Sequence, residues 1–459
     1  MLHPEFKTKL EAIVGNARCS FAPEDMVAYS YDANEEKRAQ PEGVVSPMNT
    51  EEVAAIIKLA NEYDVPVTPR GGGSGYTGGC IPVRGGIVMA MDRFNKILEV
   101  DADNYLVILE PGVITKDLQA AVDKIGLMYP PDPASTSFST IGGNIAENAG
   151  GIRAVKYGVT KNYVMGLEVV LPTGEVVRTG SKCIKDVVGY NLTELFVGSE
   201  GTLGVITKAI IKVVPKPEAR RTMTATFSSL EKAAEAVKAV YATGVRPATL
   251  EFLDRISVEA VVKSTNFKAT PEEGALLLME VDGADTALDS EVAKIQAACK
   301  SCGCITFRKA ESEEEREDLW KARRALSFAL TEISNQWEDD DVSVPIARIP
   351  QMIRKLDEIA ARHNIIIANF GHYGDGNIHI GMTTGKGGRP FPMVAKDEVV
   401  QAVVELEGRI AAEHGIGCVK AHNLRWNIDA PTLAMMRSFK KLLDPKGILN
   451  PGKVMPSEV

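Results

Sequence analysis

The chain has only six histidines in 459 residues, and it has no excess of positive charge. A formal net charge of −9 and a pI near 5.4 exclude nucleic acid as a main partner, because a phosphate backbone is bound through a basic surface. No apolar run approaches 18 residues, and the opening "MLHPEFKTKLEAIVG" has no apolar signal core. A cytoplasmic location is therefore the default expectation. Cysteine is sparse as well. Cys19, Cys80, Cys183, Cys299, Cys302, Cys304 and Cys418 form an odd, scattered set that makes no disulfide framework. The cluster "CKSCGC" lacks the second cysteine group, or the four-cysteine run, that an iron–sulfur site needs. Its plain reading is three reduced thiols between a helix end and a strand. Internal repeats and low-complexity linkers are also missing.

What is present is ordinary in bulk, with 45% hydrophobic and 25% charged residues. The length allows about three domains or two large ones. Up to about Pro217, short β-prone runs alternate with helices. "NTEEVAAIIKLANEYD" carries an N-cap followed by Val53, Ile56, Ile57 and Ala60 at helical spacing. "LEVVLPTGEVVRTG" reads as a hairpin about Pro172, Thr173 and Gly174, and a long strand follows "GSEGTLG". After "PKPEARR", strands such as "ALLLMEVDG" and "IIIANF" alternate with amphipathic helices, as in an α+β domain. The expected division is 1–217, 218–419 and a C-terminal segment, 420–459, that returns to the first domain.

Two of the six histidines flank a glycine-rich turn in "NFGHYGDGNIHIGM". A helix is a poor reading, since seven residues rise about 10 Å along one and Gly374 and Gly376 weaken it. A strand, a turn at Asp375-Gly376 and a second strand fit better, projecting His372 and His379 from facing strands. Downstream, "AAEHGIG" sets Glu413 beside His414 at the expected end of a helix, "KDEVVQAVVELEGRIAAEH", closed by Gly415. Two imidazoles and one carboxylate suffice for a divalent ion with positions open to a substrate. The bland alternative is polar residues on an ordinary hairpin.

Glycine crowds "RGGGSGYTGG", Arg70 to Gly79, and "STIGGNIAENAGG", Ser139 to Gly151. Such density removes Cβ atoms where backbone must approach something closely, and successive N–H groups in such turns suit a pyrophosphate. The first loop is neither GxGxxG with a following acid nor GxxxxGK[ST], which disfavours a nicotinamide Rossmann site and a P-loop.

The ordered set "PRGGGSGYTGG", "EPGV", "PPDPAST", "TIGGNIAENAGG", "GSEGTLGVIT", "GHYGDGNIH", "AEHGIG" and "LDPKGILNPGK" resembles the FAD-linked D-2-hydroxyacid dehydrogenases of the vanillyl-alcohol oxidase superfamily. These include D-lactate dehydrogenases, the FAD subunit of glycolate oxidase and D-2-hydroxyglutarate dehydrogenase. The resemblance implies an α+β, two-domain flavoprotein with an FAD-binding domain and a cap domain built on an antiparallel sheet. It implies an FAD cradle of Pro69, Arg70, Gly71, Gly72, Gly73, Ser74, Gly75 and Gly79 with Gly142, Gly143, Asn144, Asn148, Gly150 and Gly151. Pro131, Asp132 and Ser135 would line the flavin, Glu200, Gly201 and Ile206 the nucleotide end, and Asn450 would return from the tail. Residues 70–80 contain no histidine, so non-covalent FAD is expected.

By the same resemblance His372, His379 and Glu413 bind a divalent metal, zinc, iron or manganese, which acts on the substrate hydroxyl as a Lewis acid. His414 is the expected base, or else a hydrogen-bonding residue behind the site. Asn377 orients substrate or stabilises its turn. Arg323, in "LWKARRAL", holds the substrate carboxylate or lies on a solvated helix face. Where 2-hydroxyglutarate enzymes place a lysine this chain has Asp339, Asp340 and Asp341, and Gly381 replaces an asparagine. Both departures favour D-lactate or glycolate over D-2-hydroxyglutarate. The implied electron acceptor is an electron-transfer flavoprotein, an iron–sulfur subunit or a quinone, and a place peripheral to the inner membrane through a partner is left open. A homodimer is left open. The competing reading is a flavin-dependent, non-redox alkyl transferase, for which no amphipathic membrane anchor is visible.

Overall fold

The computed structural model describes residues 2–33, 37–265, 267–334, 336–387 and 390–456. They fall into two compact units. The first comprises Met1–Gly150, Val159–Lys216 and Glu413–Val459, and the second Gly151–Gly158 and Pro217–Ala412. The chain leaves the first unit after Lys216 and rejoins it at Glu413. Among the described residues no helix is long and apolar enough to cross a membrane.

In the first unit Gly43–Val45, Ile87–Ala90 and Val67–Arg70 pair in parallel, with Cys19–Ser20 antiparallel at one edge. The helix Thr50–Glu62 starts where the Asn49 side chain accepts the Glu52 N–H at 2.8 Å. It buries Val53, Ile56, Ile57 and Ala60, the spacing expected of one helical face. Ile448 and Leu449 from the C-terminal tail join this core, and Leu449 bridges Val67. A five-stranded antiparallel sheet includes the hairpin Val164–Val170 and Val176–Gly180 and the strand Val205–Lys212. The second glycine-rich stretch is not all loop. Thr140 caps a short helix, Ile141–Glu147, which ends at Asn148 in the left-handed region, φ 55°.

The second unit is built on a seven-stranded antiparallel sheet. Its strands are β1 (Ala219–Phe227), β2 (Thr249–Asp254), β3 (Ala275–Gly283), β4 (Thr306–Lys309), β5 (Glu338–Ser343), β6 (Ile366–His372) and β7 (Asn377–Thr383), in the order β4-β1-β3-β2-β6-β7-β5. Alternation along β3 sends Leu277, Met279 and Val281 to one face and Leu276 to the other. The first face packs the helices Leu230–Ala242, Asp285–Ser301, Ile349–His363 and Met393–Glu405. The second packs Arg255–Ser264, Ala322 and Leu326. Cys299 is buried in the first of these cores, where burial pushes its thiol up to about 12.

One expected element is shorter than its composition suggests. The helix Met393–Glu405 does not reach His414. Glu407 turns left-handed at φ 61°, and a Cβ on Gly408 would lie 2.4 Å from the Ser343 carbonyl. Ser343 and Arg409 then exchange backbone hydrogen bonds of 2.9 and 2.7 Å, a β-type pairing that a continuing helix could not make.

Candidate functional site

The first unit contains a cavity of about 260 Å³ lined by both glycine-rich stretches and by the "GSEGTLG" turn. Gly71 and Gly72 are needed for one stretch to lie against the other. A Cβ on Gly71 would be 2.4 Å from Thr140 Oγ1, and one on Gly72 2.2 Å from the Phe138 carbonyl oxygen. The glycines at this point serve loop-against-loop packing as much as approach to a ligand. Gly73 adopts φ 68°, a conformation that L side chains rarely tolerate. Pro69 to Gly75, Gly79, Ser135, Gly142, Gly143, Asn144, Gly150, Glu200, Gly201 and Ile206 all line the cavity, as expected of a cradle. Pro131, Asp132, Asn148 and Asn450 do not. Pro131 and Asp132 accept hydrogen bonds from Gln119, and Asn148 Oδ1 accepts the Lys161 N–H. Asn450 is buried and donates from Nδ2 to the carbonyls of Gly79 and Glu200 at 2.9 and 2.7 Å, so it ties two walls together. Gly151 belongs to the second unit.

Glu413 and His414 line this same cavity. The His414 ring stacks on Tyr76 at 4.9 Å, and its carbonyl accepts the Thr77 hydroxyl at 3.0 Å. Tyr76, Asp32 and Glu147 are further lining residues that motif spacing does not single out. The oxygens of Glu200 accept the N–H groups of Ile416 and Gly417, each at 2.7 Å, whereas the buried Oε2 of Glu147 has no hydrogen-bond partner among the described residues. Burial, and then the charges of Glu200 and Asp32, push the Glu147 carboxyl well above its ordinary value. Burial pushes the Glu200 carboxyl up as well, opposed by the N–H groups of Ile416 and Gly417 and by the charge of Lys453.

In the second unit the hairpin of β6 and β7 presents His372 and His379 with ring centroids 5.3 Å apart. A Cβ on Gly376, φ 91°, would lie 2.2 Å from the Val344 carbonyl, so glycine is required at this turn. His372 Nδ1 is 2.6 Å from Glu251 Oε1 on β2. The other oxygen of that carboxylate accepts from Arg323 Nε at 2.9 Å and pairs with Nη2 at 2.8 Å. Burial alone would raise the Glu251 carboxyl, but His372 and Arg323 hold it below the ordinary range. Arg323 is 13% exposed and lies over the Phe370 ring, so it is not on a solvated face.

Asn377 donates from Nδ2 to Asp341 Oδ1 at 2.7 Å, and the same oxygen lies 3.4 Å from His379 Nδ1. Of the three aspartates of β5 only Asp339 is exposed. Asp340 and Asp341 are buried, and Asp341 also accepts the Ala412 N–H. Pairing of β5 with β7 sets Asp341 opposite His379, a long-range match that a string of acids does not reveal.

Two family models match the chain. Residues 216–454 match the C-terminal domain of FAD linked oxidases, and residues 41–180 match an FAD binding domain. The chain belongs to the FAD-linked oxidases. Within the vanillyl-alcohol oxidase superfamily this FAD-linked oxidase falls in the D-2-hydroxyacid dehydrogenase group. It is 40% identical to the glycolate oxidase subunit GlcD of Bacillus subtilis, over 100% of this chain and 98% of that one. It is 39% identical to a D-lactate dehydrogenase of Archaeoglobus fulgidus, over 95% and 96% of the two chains. Among solved structures, an alkyldihydroxyacetonephosphate synthase superimposes with a TM-score of 0.77 at 21% identity, covering 98% of this chain and 85% of that one. A 4-ethylphenol oxidase of Gulosibacter chungangensis gives 0.75 at 19% identity, covering 98% and 96%. At these identities the likeness concerns the fold alone.

The residues of this FAD-linked oxidase fit the cofactor: the cavity walls are glycines that a Cβ would fill, and Glu147 offers an unpartnered oxygen. Ligand chemistry also suits a divalent cation. Within the second unit His379 Nδ1 lies 3.4 Å from Asp341 Oδ1, a carboxylate that was not among the expected ligands, while Asn377 Oδ1 is buried without a hydrogen-bond partner among the described residues. Within the first unit Glu413 Oε1 lies 3.9 Å from His414 Nε2.

Proposed function

We propose that the protein oxidises a small D-2-hydroxy acid, D-lactate or glycolate, to the 2-oxo acid and passes the electrons to an electron-transfer flavoprotein, an iron–sulfur subunit or a quinone. The observation that carries the reading is the largely enclosed Arg323, fixed by the buried Glu251 beside the imidazole of His372. A guanidinium and imidazoles held together are the groups that a carboxylate with an adjacent hydroxyl requires. The substrates named for the relatives of the group support it.

When bound, FAD supplies the hydride acceptor at N5 and a divalent cation supplies a Lewis acid for the substrate hydroxyl. His372, His379 and Glu413 are the proposed cation ligands. Arg323 binds the substrate carboxylate, through Nη1 because its Nε and Nη2 already face Glu251. His414 takes the hydroxyl proton, with Tyr76 and Thr77 fixing the ring and its backbone. Asn377 has its amide donor committed to Asp341 and contributes its carbonyl oxygen.

Gly381 supports a small substrate. A Cβ there would lie 3.1 Å from the Trp337 ring, so an asparagine would displace an indole that is itself held by the Leu330 and Ser334 carbonyls. The test is the anaerobic flavin spectrum with each acid in turn. D-lactate or glycolate bleaches the flavin and D-2-hydroxyglutarate does not; bleaching by D-2-hydroxyglutarate alone would overturn the substrate assignment. Dialysis against a chelator abolishes turnover and a divalent ion restores it, whereas full activity in metal-free protein would remove the cation from the reading.

A further inference from the structure

Glu251 has no place among the groups that would touch substrate, cation or flavin, yet it is fully buried in the middle of β2 with both oxygens engaged. Oε2 accepts from Arg323 Nε and pairs with its Nη2, and Oε1 lies 2.6 Å from His372 Nδ1. A guanidinium is always charged and only donates, so the carboxylate paired with it is ionised and only accepts. The proton between Glu251 and His372 therefore belongs to the imidazole. We propose that Glu251 is a positioning residue that fixes His372 as the Nδ1–H tautomer, so that Nε2 carries the lone pair, and clamps Arg323 with the same carboxylate.

Neutral imidazole has one donor and one acceptor nitrogen, and the partner of the first decides the role of the second. With Nδ1–H directed at Glu251, any ligand role of His372 falls to Nε2. One carboxylate thereby couples two functions, since its second oxygen fixes the Nε and Nη2 side of Arg323 and selects the Nη1 side for substrate. The ligand half of this inference rests on the reading of His372 as a cation ligand; the tautomer half does not.

Glu251→Gln separates the two halves. Glutamine keeps the size but replaces one acceptor oxygen by an NH₂ donor. Arg323, which only donates, claims the carbonyl oxygen, and the NH₂ then faces His372 Nδ1 and forces the opposite tautomer, with the proton on Nε2. The first readout is the long-range ¹⁵N–¹H spectrum of metal-free, histidine-labelled protein, with six histidines to resolve and His372 assigned from the spectrum of His372→Gln. The expected result is Nδ1–H in the unaltered protein and Nε2–H in Glu251→Gln. An Nε2–H or doubly protonated His372 in the unaltered protein would overturn the proposal, and that measurement does not depend on Glu251→Gln folding.

The second readout is direct titration with Zn²⁺ or Mn²⁺, with circular dichroism as a check on folding. Affinity falls about 10- to 100-fold in Glu251→Gln, the usual effect of losing the partner behind a ligating histidine. Unchanged affinity together with a switched tautomer would overturn the ligand half. If the unaltered protein shows the Nδ1–H tautomer but takes up no divalent ion, the cation reading fails while the positioning role of Glu251 stands.

Discussion

In the first unit Gly71 and Gly72 stand where a Cβ would strike Thr140 and the Phe138 carbonyl; in the second, Glu251 fills its space and is held by a guanidinium and an imidazole. One region makes a site by omitting side chains and the other by pairing charged ones. The difference is the one that the proposed ligands call for. An extended cofactor needs a long wall of accessible backbone, with few charges to desolvate. A small hydroxy acid needs two or three groups held in one geometry, and buried charges persist only when each has a partner. Damage should therefore differ in kind: changes in the first unit should act mainly on flavin retention, and changes in the second on substrate and stability.

His414 is the sharpest exception to that division, because it lines the first unit's cavity yet is proposed to act on substrate. His414→Ala should slow anaerobic flavin reduction by about 10²–10⁴-fold, the usual range for a general base, while FAD stays bound. Rapid-mixing absorbance measures it, and an unaltered rate would return His414 to the cavity wall. Arg323→Leu leaves Glu251 buried without its cation. Unfolding by denaturant should show a loss of about 3–5 kcal/mol, with a raised KM for D-lactate, because breaking a buried pair strands the remaining charge. A loss below about 1 kcal/mol would mean that water replaces the guanidinium.

Gly72→Ala should weaken FAD binding about tenfold, since the new Cβ meets a backbone carbonyl that must move, at a typical overpacking cost of 1–3 kcal/mol. Flavin content after dialysis reads the effect directly. The smallest effect belongs to Glu147→Gln. A carboxyl raised above its ordinary 4.5 in the folded state binds protons there that the unfolded chain has released, so stability falls as pH rises from that value. The glutamine variant removes this fall. Its apo-protein stability should vary less with pH above 4.5, and a slope equal to that of the unaltered protein would show that Glu147 is ionised throughout.

Local signals were legible in the sequence. The Asn49 cap, the apolar face of the following helix and the turn between His372 and His379 are set by residues within a few positions of one another. The glycine cradle was legible too, although the loop-against-loop role of Gly71 and Gly72 was not. Hidden features depend on distant partners. Glu251 lies 72 residues from Arg323 and 121 from His372 in sequence, and no local pattern marks it. The early end of the helix at Glu405 depends on Ser343 drawing Arg409 into a backbone pair, and the burial of Asp341 depends on the register of β5 against β7. Charge in a string of residues predicts exposure on average; tertiary pairing decided otherwise here.

The most direct test of the division between the units is a single anaerobic experiment on the unaltered protein and Arg323→Leu, recording the flavin spectrum before and after saturating D-lactate or glycolate. The prediction is equal flavin content in both, full bleaching of the unaltered protein, and a flavin in Arg323→Leu that stays oxidised or reduces only at far higher acid concentration. Equal bleaching of the two proteins at low substrate would contradict the assignment of substrate recognition to the second unit, and loss of flavin from Arg323→Leu would contradict the separation itself.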